Sequence, residues 1–332
     1  MNPLELTQAS VLRPALVALR ERGVKMSPYL ERNRIPRDLP DQPYAPLPKR
    51  QRIWAFLEDV ETSEGIETLG FLMGDHLDLA HTGPFGLRLM QAATLFDALR
   101  FARRALRDVA QGNSLRIQRQ GDSAWIGIES YRRTCRPADH AMLKFLIEIV
   151  RLAAGPEWNP SVASLQTGRV RAIEALPCFK RTSFRYNASE AGLLISASLL
   201  SRPLHEDENC WSTPFDDLIP LPRSGRLSDS LRVVIATLLP HYGPPSVNEA
   251  AEMSGMSRAT LFRRLAEEGV TYRELVERVR YQAAQSLLRN PALAIKDISS
   301  LLGYSVPNNF IRAFRNVAGT TPSSFRREHA GI

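Results

Sequence analysis

Apolar residues recur at helical spacing along most of this 332-residue chain, and the period falls to two only near its middle. Leu12, Leu16 and Leu19 share one face of a segment that stops at Gly23, which predicts a helix over 10–22 closed by a glycine. Five prolines between Pro36 and Pro48 predict a structured, non-helical connection. Helical spacing resumes with Ile53, Trp54, Leu57 and Val60, then with Ile66, Leu69, Leu72 and Met73. Thr94-x-x-Asp97 is a capping box opening a helix that carries Leu95, Leu99, Ala102, Leu106 and Val109. Leu115 and Ile117 then alternate with Arg116 and Gln118, a Gln-Gly-Asp turn follows, and Trp125, Gly127 and Ile128 continue beyond it, which predicts a hairpin. An apolar helix is expected from about Pro137 to Ala154, and further strands around 161–166, 183–186 and 193–196. Runs of helix and of strand without a regular βαβ rhythm predict an α+β domain over 1–205.

The texture changes after Pro203. Residues 206–226 carry Glu206, Asp207 and Glu208, then Pro214, Pro220, Pro222 and Gly225, and are expected to form a linker. From Leu227 to the end, 227–332, the pattern predicts an all-α domain in which one arrangement occurs twice. Ala251, Gly255 and Leu261 stand at the small–turn–apolar spacing that lets two helices cross closely, with Ser257 as N-cap of the second helix. The phrase returns as Ile298, Leu302 and Gly303, followed by inward Phe310 and Phe314. Between the two, Tyr272 to Leu288 is expected to be one long helix with Leu275, Val279, Ala283 and Leu287 as its buried stripe.

Two helix-turn-helix units in one chain point to a protein that reads double-stranded DNA. The outward stripe of the first reading helix holds Arg258, Ala259, Phe262 and Arg263; that of the second holds Asn308, Asn309, Arg312 and Arg315. Arginine can pair bidentately with guanine and asparagine with adenine, so Arg263, Asn308 and Arg312 are the expected base readers. Phe262 either presses on a thymine methyl or folds back onto the core. A glycine-turned helix pair alone is a common structural element, and basic residues on a helix face are usually only solvated. Charge distribution bears on the choice. The net charge is +8, and residues 223–332 hold 15 Lys+Arg against 9 Asp+Glu, whereas residues 1–222 hold 28 against 26. The basic excess lies with the paired units, as phosphate binding requires.

Other chemistry finds little support. GxSxG, Walker A, GxGxxG and HExxH patterns do not occur. Cys135, Cys178 and Cys210 are far apart, which argues for reduced thiols and against a zinc site or disulfide framework. Asp75, His76, Asp78 and His81 cluster in sequence, but exposed polar residues at a helix end are the simpler reading, and no metal or cofactor is expected. Trp125, Phe145 and Trp158 are read as core aromatics rather than pocket residues. The N-terminus lacks a basic region followed by an apolar stretch, and the longest apolar run, Leu193 to Leu200, is too short for a bilayer. A cytoplasmic, nucleoid-associated protein with no membrane partner is therefore expected.

The segment from about Leu227 to Arg327 resembles the DNA-binding domain of AraC-type transcriptional regulators (the AraC/XylS family). The resemblance is carried by Met256-Ser257-Arg258, Leu261, Arg263-Arg264-Leu265, Glu268-Gly269, the stretch from Arg280 to Leu288, and Ile298 to Gly303-Tyr304. It closes with Phe310, Arg312-Ala313-Phe314-Arg315, Gly319, Thr321-Pro322 and Phe325-Arg326. Ser299 stands where that family usually has alanine, Phe262 where glutamine is frequent, and Ile311 where a small polar residue is common. The upstream region, about Val11 to Pro203, is similar to the α+β arabinose-binding-like sensory domain of one branch, through Leu69-Gly70-x-x-x-Gly74, Gly83-x-Phe85-Gly86, Thr94-Leu95-x-x-Ala98-Leu99 and Ser201-Arg202-Pro203-Leu204. This implies a bacterial regulator, not an enzyme, that senses an unidentified small-molecule effector, often as a homodimer, and recruits RNA polymerase to a promoter. Activation is typical of the family. The rival readings are an effector-independent repressor or architectural protein, and a fused DNA-alkylation repair enzyme, which would need the clustered cysteine site this chain lacks.

Overall fold

The computed structural model describes residues 4–39, 42, 44–77, 79, 84–130, 134–204, 221–222 and 225–329. Contacts divide the chain into two compact units, one of residues 7–45 and 49–221, the other of residues 1–6, 46–48 and 222–332. Most of the expected linker, together with Cys210, lies outside the described residues.

Strand β1 (Leu6–Gln8), whose Leu6 is assigned to the smaller unit, is followed in the larger unit by helices α1 (Arg13–Glu21) and α2 (Ser27–Arg32). Strand β2 (Pro46–Pro48), assigned to the smaller unit, interrupts it in sequence. A single π turn, Lys49–Trp54, then leads into α3 (Ala55–Glu64). Leu12, Leu16 and Leu19 are buried as their spacing predicts, and Gly23 follows α1 with φ of +72°, a left-handed turn that suits glycine. Helices α4 (Leu69–Asp75), α5 (Pro84–Met90) and α6 (Leu95–Val109) come next. The Thr94 hydroxyl accepts from the Asp97 N–H at 3.2 Å, capping α6.

Strands β3 (Asn113–Gln120) and β4 (Ser123–Ser130) form the expected antiparallel hairpin, followed by α7 (Arg136–Ala154), β5 (Val162–Ser164), the short α8 (Arg171–Glu174), β6 (Ser183–Arg185) and β7 (Ala191–Ser196). The sheet order is β3-β4-β7-β5-β6, with only β5 and β6 parallel. Helices α6 and α7 cover one face, and Ala124, Ile126 and Ile128 of β4 point into that core beside Leu143, Ile147 and Leu193. Trp125 and Gly127, read from sequence as continuing the apolar pattern with Ile128, lie on the other face. There the Trp125 indole donates to Glu190 at 2.9 Å, Arg116 pairs with the same carboxylate at 3.2 Å, and a Cβ on Gly127 would meet Glu190 Cδ at 2.4 Å. Strand alternation puts positions 125 and 127 on the face opposite Ala124, Ile126 and Ile128, so they meet this carboxylate rather than the core.

The Gly70-x-x-x-Gly74 phrase brings α4 against α7. A Cβ at Gly70 would lie 2.1 Å from the Pro137 carbonyl oxygen, and one at Gly74 would lie 1.9 Å from Lys144 Cγ. This approach seals His140, fully buried and stacked on Phe71 with ring centroids 5.1 Å apart. Neither imidazole nitrogen has a hydrogen-bond partner. Burial, with the Arg136 charge adding to it, lowers the His140 pKa from 6.5 to about 3. Asp139 is also fully buried, accepting from the Thr167 N–H at 2.9 Å and hydroxyl at 2.6 Å, and burial raises its carboxyl pKa.

A base whose folded pKa lies below its unfolded value takes up its proton on unfolding. The stability is therefore fully present above pH 6.5 and drains away as pH falls toward 3, at up to about 1.4 kcal/mol per unit. Asp139 acts in the opposite sense but only below its own raised carboxyl value. The melting temperature of the larger unit should thus fall between pH 6.5 and 5, and His140→Phe should flatten that slope whatever it does to stability at pH 8. A parallel decline in both proteins would assign the pH dependence to another group.

Candidate nucleic-acid interface

The smaller unit is built on α9 (Leu227–Tyr242), which buries Leu227, Leu231, Val234, Ile235, Leu238 and Leu239. The first helix-turn-helix follows as α10 (Val247–Met253) and α11 (Arg258–Glu267). A complete capping box starts α10, with Glu249 N–H donating to the Ser246 hydroxyl at 3.2 Å and Ser246 N–H to the Glu249 carboxylate at 2.7 Å. Gly255 makes the turn at φ of +62°, and the Ser257 hydroxyl caps α11 by accepting from Thr260 N–H at 3.2 Å. Ala251, Leu261 and Leu265 are buried between the helices. Arg258, Ala259, Phe262 and Arg263 stand exposed on the other side. Phe262 is 44% exposed, so it does not fold back onto the core.

The second unit is α13 (Ile295–Leu301) and α14 (Pro307–Ala318), braced by α15 (Pro322–His329). Ile298 and Leu302 meet an aromatic cluster in which Phe314 lies 5.4 Å from both Phe325 and Tyr281, and Phe310 lies 5.7 Å from Tyr304. Pro307 starts α14 with a preset φ, and Gly319 ends it at φ of +72°. Asn308, Asn309, Arg312 and Arg315 are all exposed on this helix. Val306, 47% exposed just before it, is an apolar candidate that sequence reading missed, because a lone valine outside the periodic stripe gives no signal.

Helix α12 (Tyr272–Leu288) joins the two units and is seated against α9, α13, α14 and α15. Its buried residues are Tyr272, Leu275, Val279, Ala284 and Leu288, while Ala283 and Leu287 are only half-buried. The expected four-residue stripe fails because each such step walks about 40° around the helix. The C-terminal half meets a different neighbour, the second unit, and turns a different face inward. Arg280, near the middle, donates to the carbonyls of Leu302 and Gly303, both at 3.0 Å, and its guanidinium lies 4.2 Å from the Tyr304 ring centre. A Cβ on Gly303 would crowd Pro244 at 3.0 Å and Gly243 at 3.1 Å, in the connection between α9 and α10. The same connection is held by the Tyr272 hydroxyl, which donates to the Pro245 carbonyl at 2.5 Å. Glu268, after α11, accepts from the N–H groups of Leu227 and Ser228 at 2.8 and 2.9 Å and caps α9. Burial works to raise its pKa, but these bonds hold the carboxyl below the usual range.

Ser299 is fully buried and its hydroxyl has no hydrogen-bond partner; counted from the turn glycines, the matching place in the first unit is held by the buried Ala251. Among the described residues no cluster of three or more His, Cys, Asp or Glu could hold a metal. Asp75 pairs with Lys144 at 2.9 Å and His76 with Glu21 at 3.3 Å, while Asp78 and His81 lie outside the described residues. Cys135 and Cys178 are free, and burial pushes both thiols up. Among the described residues no helix is long and apolar enough to cross a membrane.

Two stability outcomes follow from this geometry. Ser299→Ala removes an unsatisfied buried hydroxyl without opening a sizeable void, and should raise unfolding free energy by about 1 kcal/mol. A loss of stability in denaturant titration would mean that the hydroxyl is bonded in solution. Phe262→Ala, on an exposed face, should change stability by less than about 0.5 kcal/mol, so any altered base preference reports a groove contact directly. A large drop in melting temperature would place the ring against the core instead.

Comparison with known proteins agrees with this architecture. The family model described as the arabinose-binding domain of AraC transcription regulator, N-term, matches residues 23–204, and one described as helix-turn-helix domain matches residues 250–328. The HTH-type transcriptional regulator VirS of Mycobacterium tuberculosis is 32% identical over 185 residues, 54% of this chain and 53% of that one. VqsM of Pseudomonas aeruginosa is 35% identical over 102 residues, 31% of each chain, and the transcriptional activator NphR of Rhodococcus sp is 31% identical over 112 residues, 34% of this chain and 33% of that one. The chain spans about half the length of the first of these relatives and about a third of the other two. Among solved structures, the transcriptional regulator CdpR from Pseudomonas aeruginosa aligns over 95% of this chain and 97% of its own, at 22% identity and a TM-score of 0.41. With the N-terminal family model alone matching more than half of its length, the chain belongs to the AraC family of transcription regulators.

Proposed function

We infer that this protein is a sequence-specific DNA-binding transcription regulator that reads DNA with α11 and α14 and responds to a small-molecule effector through its N-terminal unit. The observation that carries the reading is that all eight candidate side chains stand exposed on the two reading helices, while the opposite faces of those helices are locked into one core. An exposed helix bearing arginine and asparagine fits the major groove, where Arg312 and Arg263 can address guanine and Asn308 adenine. The basic excess of residues 223–332 supplies the phosphate attraction that holds the register. Residues 1–205 serve sensing and dimerisation, 206–226 link, and 227–332 read. The protein works in the cytoplasm on the nucleoid, and promoter-bound protein recruits RNA polymerase. The family domain matched by residues 23–204, and the name activator carried by the relative from Rhodococcus, favour effector-responsive activation over repression.

Footprinting of the purified protein across its own genomic neighbourhood should reveal an operator with two elements on one side of the duplex. Helix α12 has 17 residues and is ~25 Å long, so the elements should lie about one helical turn apart. On that operator Arg312→Ala should cost roughly 1–3 kcal/mol and relax preference at one base. Equal weakening on random DNA would make Arg312 a phosphate contact. Inserting about half a helical turn between the elements should reduce binding toward the non-specific level. Retained tight binding there would leave only one reading helix at work.

A further inference from the structure

The larger unit contains a cavity of about 170 Å³ whose lining residues all belong to that unit. Its wall is formed by side chains from elements distant in sequence, among them Leu57, Met73, Phe85, Leu106, Met142 and Phe145. Of the three aromatic residues considered from sequence, Phe145 lines it and Trp125 and Trp158 do not. The lining also includes polar groups, several of them engaged with the protein itself. Lys49, buried, donates to the Asn113 side-chain oxygen at 2.7 Å and to the Gln111 carbonyl at 3.0 Å. The same Asn113 oxygen accepts from the Ser130 hydroxyl at 2.9 Å, and Thr7 donates to the Val109 carbonyl at 3.1 Å.

We propose that this cavity is the effector site and that its ligand is an apolar molecule of single-ring size with at most one polar group, not a sugar. The proposal rests on the effector-sensing reading given above. Size is the first argument: an apolar cavity of about 150 Å³ is enough to hold benzene. Chemistry is the second. A pentose presents a hydroxyl on nearly every carbon, and each one buried without a partner is penalised. This wall meets it with leucine, methionine and phenylalanine, and Thr7, Lys49 and Asn113 in the lining already have partners. A ring bearing one hydroxyl or carbonyl asks for a single hydrogen bond, which Tyr44 in the lining can supply. Met73 and Met142, unbranched and polarisable, let the wall adapt to the ring. A sugar would find better company in the open, polar cleft near 900 Å³ lined by Glu58, Glu61, Arg136, Gln166 and Thr167.

The test uses the full-length protein with methyl-labelled methionine, titrated with ethylbenzene, 4-ethylphenol and, separately, L-arabinose. Either aromatic probe should raise the melting temperature and shift the Met73 and Met142 methyl signals by ring current, leaving Met253 and Met256 of the other unit in place. L-Arabinose should do neither. Met142→Trp, which fills the cavity, should weaken 4-ethylphenol binding about tenfold or more. Met142→Ala, which enlarges it, should bind n-butylbenzene more tightly than the unmodified protein does. Stabilisation by L-arabinose with no methyl response to the aromatic probes would overturn the proposal, as would aromatic binding that leaves both methionine signals unmoved. Operator affinity measured with and without 4-ethylphenol separates the two readings. Methyl shifts with unchanged operator affinity and transcription would keep the apolar binding site but remove its role as effector site.

Discussion

Arg280 donates from the middle of α12 to the carbonyls that end α13, and through that contact the second reading helix acquires a fixed direction relative to the first. Those carbonyls belong to a helix C-terminus and would otherwise need water. A planar guanidinium can serve two of them at once while its face rests on Tyr304. Gly303 is equally constrained, since it must take a positive φ and also admit Gly243 and Pro244 within contact distance. Two connections and the middle of α12 therefore meet at one place, where a lysine at 280 or any side chain at 303 would loosen the junction. The seven-residue helices α10 and α13 are too short to be stable by themselves. Their geometry is owed to this junction, to the Glu268 cap on α9 and to the aromatic cluster beneath α14.

Legibility in the sequence followed the range of the interactions concerned. The reading units were visible because a turn glycine, an N-cap and inward residues three and four apart lie within twenty residues of one another. The hairpin was visible for the same reason, although the sequence could not say that Ala124, Ile126 and Ile128 face the core while Trp125 and Gly127 face Glu190. That choice depends on which face α6 and α7 cover. Helices α2, α5 and α8 and the π turn at Lys49–Trp54 carry too few periodic positions to be recognised. The buried stripe of α12 was misjudged beyond Val279 because its partner changes there, from α9 to the second unit. The cavity was not legible at all, since a space is bounded by whatever several elements leave unfilled.

The two units use apolar surface in opposite ways. Beneath the reading helices Leu261, Leu265, Phe310 and Phe314 are buried and fix the backbone from which the polar side chains project. In the larger unit part of the apolar surface is left uncovered around a cavity, at a cost in packing that a binding partner can recover. His140 and Asp139, buried with unsatisfied polar atoms beside the close α4–α7 contact, add to that cost. A domain arranged in this way has stability to gain from occupancy, which is what a sensor needs if binding is to bias one arrangement over another.

The readers themselves are held only lightly at their tips. Arg312 lies 3.5 Å from the Asn309 side-chain oxygen, and Arg263 lies 3.9 Å from the Glu267 carboxylate, both on exposed helix surface. Contacts of this kind contribute little in water. Under the proposed function, such contacts would restrain the long side chains enough to reduce the entropy lost on docking, and would exchange for a base edge or a phosphate. Rigid backbone with weakly committed side chains is the combination that discrimination demands. In the proposed mode of reading, such a frame would reject a duplex whose grooves are out of phase, leaving the side chains to choose among the base pairs that remain.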